Sequence, residues 1–483
     1  MLAAVLCSAP FIVLAAWNIW TPYSFWYDEL YSVLTCGGTW RHLAVELYSD
    51  VTNPPLYHVI LKLWLTLFGS GEVQSRMLSL ICAVAAFGLL CAAVRRRRSA
   101  FVVAATLFFS SSWLFPYYAQ EARSYALLLL LATAATVMDT RRAQARNVDD
   151  TWLWRVVLVC LALVHYFGLL YACILLLGDA RRARLHGRSA SPATLAVLGV
   201  MVAWPLWQLL RGGLGPVLGG HFWIQVRGIL DTGGVIVQSL GVPSLVVADA
   251  FGLSGGSASV FWPVALVAGA VWAVWHARGS SRSEMQSLLA RVTAVSGATA
   301  LIDLHTPVST PRNYIVLLPG VALLFGHTVE VLWSACASRW QRAALALVLA
   351  AYSYESGVHA YGLMEERWAP RQNWKALAQS LESAGASRPH CWITAPANTH
   401  QYYFKTRAGD GAELTRLTVS ELLQRQNTDS FPIVAAQIMR PDLDRLREHY
   451  ADRVCLEPPQ SWRGMVVLLA PAQRAPEGLL PCQ

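Results

Sequence analysis

Five short polar clusters interrupt an otherwise apolar chain, and between them they hold side chains that can move a proton and grip a phosphate. The first, Trp26-Tyr27-Asp28-Glu29-Leu30-Tyr31, sets two carboxylates among aromatic rings. Thr52-Asn53-Pro54-Pro55-Leu56-Tyr57-His58 follows, then Tyr117-Tyr118-Ala119-Gln120-Glu121-Ala122-Arg123-Ser124-Tyr125. His165-Tyr166 and the run from Asp303 and His305 to Arg312, Asn313 and Tyr314 complete the set. A carboxylate such as Asp28 or Glu29 can accept the proton of an attacking hydroxyl. An arginine such as Arg312 or Arg123 can hold a phosphate bidentately and stabilise charge growing on it as it leaves. Each feature also has an ordinary counterpart: a solvated acidic pair, a Glu121–Arg123 turn pair, an interfacial histidine, an arginine that only snorkels. Acid, imidazole, guanidinium and several tyrosines on one face are harder to dismiss together than singly.

These residues stand out because charge is scarce. The 483 residues are 55% hydrophobic and only 14% charged, with a mean hydropathy of +0.40. Soluble domains carry about 25% charged residues, so a soluble globule or a disordered chain is excluded and a membrane protein expected. Crossing a core of about 30 Å takes roughly 20 residues. Eleven apolar stretches read as spans, several of them shorter than that: 1–20, 76–94, 99–116, 124–138, 153–167, 168–179, 192–209, 259–275, 286–303, 314–331 and 342–359. The run 153–179 must turn back on itself around His165-Tyr166-Phe167-Gly168. The start of the chain lacks Lys or Arg, and its apolar stretch continues to Trp20, which favours an uncleaved first span over a signal peptide.

Orientation follows from the arginines. Arg95 to Arg98, Arg141, Arg142, Arg181, Arg182, Arg278, Arg339 and Arg342 fall at alternate span ends, which the positive-inside rule assigns to the cytoplasm. The N-terminus is then cytoplasmic, and the net charge of +9 is a topology signal rather than a nucleic-acid footprint. Residues 53–68 offer only about 20 Å of helix; placing them across the membrane would throw Arg95–Arg98 outside. They are expected to lie on the outer surface, and 211–258 to form an external loop with interfacial segments marked by Phe222, Trp223 and Trp262. All five polar clusters then reach the outer membrane surface.

From about residue 361 charged residues of both signs return and no run can span, so 1–360 reads as a transmembrane domain and 361–483 as a separate external domain. Its pattern predicts a small α/β fold, with helices near 373–384, 399–406 and 441–451 and strands near 391–395, 432–438 and 464–469. No C-x-x-C or zinc spacing occurs. Cys391, Cys455 and Cys482 leave room for one disulfide in an oxidising compartment.

A lipid phosphate would present its head group at the depth of these clusters, and sugar transfer from a polyprenyl-phosphate donor satisfies every requirement. A transporter or lipid flippase is the alternative. It would place ionisable sites near the midplane and often show an inverted repeat, and no repeat is visible. At these residues the chain resembles the integral-membrane glycosyltransferases of the C-type fold, in the branch of protein O-mannosyltransferases and lipid A aminoarabinose transferases. The likeness rests on Tyr27-Asp28-Glu29, Asn53-Pro54-Pro55-Leu56-Tyr57, Tyr118 to Ala126, His165-Tyr166-Phe167 and Pro311-Arg312-Asn313-Tyr314 with Leu317-Leu318-Pro319, and covers roughly residues 15–335.

The resemblance implies a mainly α polytopic fold with outer-surface helices and a soluble domain after the last span. It implies Asp28 as catalytic base, Glu29 as a supporting or acceptor-binding carboxylate and Arg312 as a donor-phosphate ligand. Tyr57, His58, Gln120, Glu121, Arg123, Tyr125, His165, Tyr166, His305 and Tyr314 complete the candidate substrate-binding set. Its implied partners are a polyprenyl-phosphate sugar, a glycan, lipid or protein acceptor, and membrane lipids; its implied location is the inner membrane, with the C-terminal domain periplasmic. The residues require no metal, although Asp28, Glu29 and Glu121 could gather one divalent cation, as acidic motifs do in the oligosaccharyltransferase branch. The chain departs from the aminoarabinose branch at Thr52-Asn53, where that branch has a lysine before its two prolines. It departs from the protein mannosyltransferases in having only 211–258 where they carry an inserted luminal domain. The resemblance thus names a donor class and leaves sugar and acceptor open.

Overall fold

The computed structural model describes residues 1–20, 24–144, 151–185, 192–213, 228–240 and 261–368. Beyond them it describes 374–375, 391–394, 402–403, 414–416, 419–424, 433–436, 445–446, 448–449, 454–457, 465–469 and 480–481. The chain divides into two compact units. One comprises Met1–Trp20, Thr39–Gly69 and Val73–Tyr361; the other comprises Thr21–Gly38, Ser70–Glu72 and Gly362–Gln483.

Helices in the first unit are α1 (Leu2–Trp17), α3 (Trp40–Ser49), α4 (Leu56–Phe68), α5 (Glu72–Val94), α6 (Ser99–Ser111), α7 (Leu114–Tyr118), α8 (Tyr125–Gln144), α9 (Thr151–Val164), α10 (Tyr166–Leu185), α11 (Pro192–Leu210), α12 (Ile229–Leu240), α13 (Phe261–His276), α14 (Gly279–Asp303) and α15 (Leu318–Ala335). Helix α16 (Arg339–Trp368) follows, and α2 (Tyr27–Gly37) belongs to the second unit. Among the described residues each of the eleven expected apolar stretches falls largely on helix, with 99–116 divided between α6 and α7 and 314–331 beginning in a 3-10 turn. Four of the described helical segments are long and apolar enough to cross a membrane unaided: Glu72–Val94, Pro192–Leu210, Gly279–Asp303 and Pro311–Ala335. The last joins a 3-10 turn, Pro311–Leu317, to α15.

Close packing explains several sequence details. The turn expected around His165 to Gly168 is a single-residue break at His165, because α9 ends at Val164 and α10 begins at Tyr166. Gly168 permits it: a Cβ there would sit 2.2 Å from the Leu161 carbonyl oxygen. Gly326 on α15 lies against α6, where a Cβ would come within 2.9 Å of Ala105 Cβ. At the arginine-rich ends, buried Asp139 on α8 is paired with both Arg182 of α10 and Arg291 of α14. Glu284 of α14 accepts from Arg97 at 2.7 Å and lies 3.3 Å from the buried His327 of α15. Removing one partner of such a pair strands the other, at a cost of about 3–5 kcal/mol.

Helix α4 starts after a turn built on Asp50. Its carboxylate accepts from the Thr52 amide at 2.8 Å, the Thr52 hydroxyl at 2.6 Å and the Asn53 side-chain amide at 2.8 Å. Thr52 and Asn53 therefore shape the approach to Pro54-Pro55, which in turn start the helix. Within 211–258 the described residues are 211–213 and 228–240, the latter carrying α12, which is joined to α14 by a 2.7 Å hydrogen bond from Thr232 to Asp303; Phe222 and Trp223 lie outside the described residues. Trp262 of α13 is buried and donates its indole N–H to Glu355 of α16, a packing role rather than an interfacial one.

In the second unit, strands β1 (Cys391–Thr394), β2 (Leu414–Arg416), β3 (Ile433–Ala436), β4 (Val454–Glu457), β5 (Met465–Leu469) and β6 (Leu480–Pro481) form a mixed sheet in the order β2-β1-β3-β5-β4-β6. β1 pairs parallel with β2 and β3, and the remaining pairings are antiparallel. A short helix, α17 (Val419–Gln424), follows β2. Most of the three helices expected near 373–384, 399–406 and 441–451 lies outside the described residues. Cys391 and Cys455 sit three strand spacings apart, roughly 14 Å, too far to share a disulfide. Cys482 lies outside the described residues.

Candidate active site

In the first unit the site residues gather where four chain breaks meet: the turn between α7 and α8, the His165 break, the 3-10 turn 311–317 and the start of α4. Tyr125 stands at the centre. Its ring lies 4.9 Å from Tyr118 and 5.7 Å from His165, and the Arg312 guanidinium carbon lies 5.6 Å from its centroid, within cation–π range. The chain of rings continues from His165 to Phe167 at 6.1 Å and from Phe167 to Tyr314 at 5.7 Å. The charges of Arg123 and Arg312 both reach His165, and that of Arg123 also reaches His58. Burial, reinforced by the neighbouring Glu121 carboxylate, holds the Tyr118 phenol well above its ordinary pKa. The cluster is aromatic, carries two arginines and is largely buried.

Each side chain has a structural reason for its pose. Phe167 donates its amide N–H to His165 Nδ1 at 3.2 Å, which leaves Nε2 to carry the proton. Arg123 and Glu121 are held by a tight turn in which the Arg123 amide donates to the Glu121 carbonyl at 2.7 Å, while Ser79 of α5 donates to that same carbonyl. His58 is buried, with its ring 5.6 Å from Tyr57. Burial first, and then Arg123, lower its pKa to about 4, against the opposing pull of Asp50.

Three predicted members stand apart from the ring cluster. Gln120 donates its amide to the Leu14 and Pro116 carbonyls at 2.9 and 3.0 Å, tying α1 to α7. Tyr166 donates to the Val51 carbonyl at 2.9 Å, anchoring the Asp50 turn. His305 is exposed on the turn after α14, and among the described contacts its ring joins none of the cluster. Sequence reasoning passed over Asp303 as a site residue. Its carboxylate accepts from the Val308 and Ser309 amides at 2.7 and 3.0 Å, and from Thr232 and the Ser309 hydroxyl. Ser309 also lies 2.8 Å from the Tyr314 hydroxyl. Asp303 thereby folds the segment that presents Arg312. An acid closing a long helix just before a Thr-Pro/Ser-Thr-Pro loop was the signal available for it.

In the second unit, Asp28 and Glu29 occupy the first turn of α2, where the helix dipole favours carboxylates. Glu29 is buried and accepts from the Trp26 amide at 3.3 Å, capping the helix start. Asp28 is half-buried, one residue earlier on the same turn. The segment ahead of it is tightly held: Ser24 accepts from the Lys375 amide at 2.9 Å, and Phe25 donates its amide to the Tyr403 hydroxyl at 2.6 Å. Tyr403 donates in turn to Glu72 at 2.8 Å, and the Lys375 ammonium lies 3.1 Å from the same carboxylate. Among the described residues no three His, Cys, Asp or Glu side chains are placed to hold a metal ion.

No protein-family model matches the chain, and no curated protein matches it. Among solved structures, ArnT from Cupriavidus metallidurans bound to undecaprenyl phosphate is similar over 98% of this chain and 99% of its own, with a TM-score of 0.54 and 14% identity. The same protein in its apo state aligns over 96% and 97%, at 12% identity and a TM-score of 0.44, too low to argue from. At this identity the likeness shows the fold alone. The chain shares the helical fold of that ArnT structure, and four of its described helical segments are long and apolar enough to cross a membrane.

Proposed function

We propose that the chain is a polyprenyl-phosphate-sugar-dependent glycosyltransferase of the cell inner membrane. It transfers a sugar to an acceptor hydroxyl on the outer face, with the N-terminus cytoplasmic and residues 361–483 forming a periplasmic domain. The observation that carries this reading is the packing of Arg312 on Tyr125 beside His165 and Arg123, in a fold whose solved example holds undecaprenyl phosphate. A planar guanidinium held over an aromatic ring suits bidentate phosphate recognition. Asp28 takes the proton of the acceptor hydroxyl. The hydroxyl oxygen then attacks the anomeric carbon from the face opposite the phosphate, the carbon–oxygen bond to phosphate breaks, and the released lipid phosphate carries its charge to Arg312. Back-side attack inverts the anomeric centre. Glu29, committed to capping α2, holds Asp28 in place.

The test uses the purified full chain with labelled polyprenyl-phosphate sugars and cell-envelope extract as acceptor. Asp28→Asn should keep its melting midpoint and lose transfer by at least about a hundredfold, the scale of general base catalysis. Full activity in that variant overturns the assignment. Activity should survive a chelator. Mass spectrometry of envelope glycans and lipids from a deletion strain would name the sugar and its acceptor together.

A further inference from the structure

Away from the site, helices α1, α6, α15 and α16 leave an apolar groove of about 900 Å³, walled by Phe11, Val103, Leu107, Trp333, Ala350 and Tyr361 among others. Along α16 it runs from Ala346 to Tyr361, roughly 22 Å of helix. Gly357 keeps its floor low, since a Cβ there would come 3.2 Å from the Phe11 ring.

The two ends of the groove differ. At one end lining residue Ser99 directly follows the exposed arginines Arg95, Arg96 and Arg98, and exposed Arg339 and Arg342 open α16 one turn before Ala346. Two of these arginines are oriented onto the segment that carries Trp333. Arg98 lies 3.6 Å from Glu330 and donates to Ser334 at 3.5 Å, and Arg342 donates to the Cys336 carbonyl at 3.4 Å. Trp333 itself suits the boundary between headgroups and tails. At the other end stand the exposed rings of Tyr354 and Tyr361, and no lining residue carries a charge. An occupant must therefore be a long apolar chain bearing negative charge at one end only, the end at the arginines.

We propose that this groove is a binding site for one anionic phospholipid of the cytoplasmic leaflet, its acyl chain between α1, α6 and α16 and its phosphate at Arg98 and Arg342. The site is independent of the transfer reaction. An anionic lipid seated there would neutralise a crowded basic rim and splint α16 against α1.

The purified full chain is melted in detergent micelles with added phosphatidylglycerol, phosphatidylcholine or a polyprenyl phosphate. Phosphatidylglycerol should raise the midpoint by about 3 °C, and phosphatidylcholine should not. The double variant Arg98→Gln/Arg342→Gln, altered at exposed positions, should lose that shift, and so should Ala350→Trp, which fills the groove. Native mass spectrometry guards against a variant that is merely less stable: retained phosphatidylglycerol should fall about tenfold in both variants. An equal shift with phosphatidylcholine, a shift with polyprenyl phosphate alone, or undiminished retention in either variant overturns the proposal.

Discussion

The hydroxyl of Tyr403 accepts the backbone N–H of Phe25 across 378 residues of sequence and passes its own proton toward Glu72, at 2.6 and 2.8 Å. Asp28 lies three residues beyond Phe25, so a phenol from the C-terminal segment sets the backbone that leads into the first turn of α2. Tyr402 adds an edge-on ring contact to Phe25 at 5.4 Å, and its hydroxyl donates to the Ser70 carbonyl at 3.0 Å.

Tyr403→Phe leaves the Phe25 amide without this acceptor, at a cost of about 1–3 kcal/mol. Transfer should fall through kcat, with donor KM unchanged, and limited proteolysis near residue 25 should accelerate. Burial first, and then the Glu72 carboxylate, push the phenol pKa far up. The unfolded phenol ionises near pH 10, so the folded state binds the proton more tightly above that value. The stability from this group is therefore complete below about pH 10 and lost as pH rises further. Melting curves between pH 8 and 11 should show a steeper decline for the wild type than for Tyr403→Phe.

Arg312→Lys keeps the charge and removes the planar group held over Tyr125 at 5.6 Å. Donor KM should rise about tenfold with a smaller change in kcat, because an ammonium cannot reproduce bidentate recognition. Steady-state kinetics over a range of polyprenyl-phosphate sugar decide it, and unchanged donor KM would refute the phosphate role.

His58 makes stability sensitive to acid. Its folded pKa of about 4 lies below the unfolded value near 6.5, so below about pH 6.5 the unfolded chain takes up a proton that the folded chain refuses. Stability is whole above that pH and falls as pH drops toward 4, by up to roughly 3 kcal/mol. Thermal melts should lose most of this slope in His58→Phe, which fills the same buried space without titrating.

Gly168→Ala should destabilise the first unit by about 2–3 kcal/mol. Its Cβ would meet the Leu161 carbonyl at 2.2 Å, and that oxygen belongs to backbone that cannot step aside, unlike the Leu128 methyl at 3.1 Å. A melting midpoint equal to wild type would show that α9 and α10 separate more easily than their packing implies.

The aromatic and cationic part of the site was legible because each member sits where an apolar run breaks, and a charge at such a break stands out. Gln120 and Tyr166 lie on the same breaks and carry equally polar groups, yet they bond to the Leu14 and Val51 carbonyls. A side chain's type does not say whether it faces a cavity or a neighbouring backbone. Thr52-Asn53, where the chain departs from the aminoarabinose branch, has a local role no motif announces, in a turn organised by Asp50. Asp303 was hidden because its role depends on the loop it folds, which no period or spacing announces.

By itself the sequence determined the helices and their order, since roughly 20 apolar residues in a bilayer have few alternatives to a helix that satisfies its own backbone. It also determined which few charges deserved attention. Only the tertiary structure decided that Tyr403 grips Phe25, that Glu29 caps α2 while Asp28 stays half-exposed, and that Arg312 lies on Tyr125. Those contacts join residues far apart in the chain. They depend on how whole elements pack, and local hydrophobic period carries no record of which distant side chain will fill a given space.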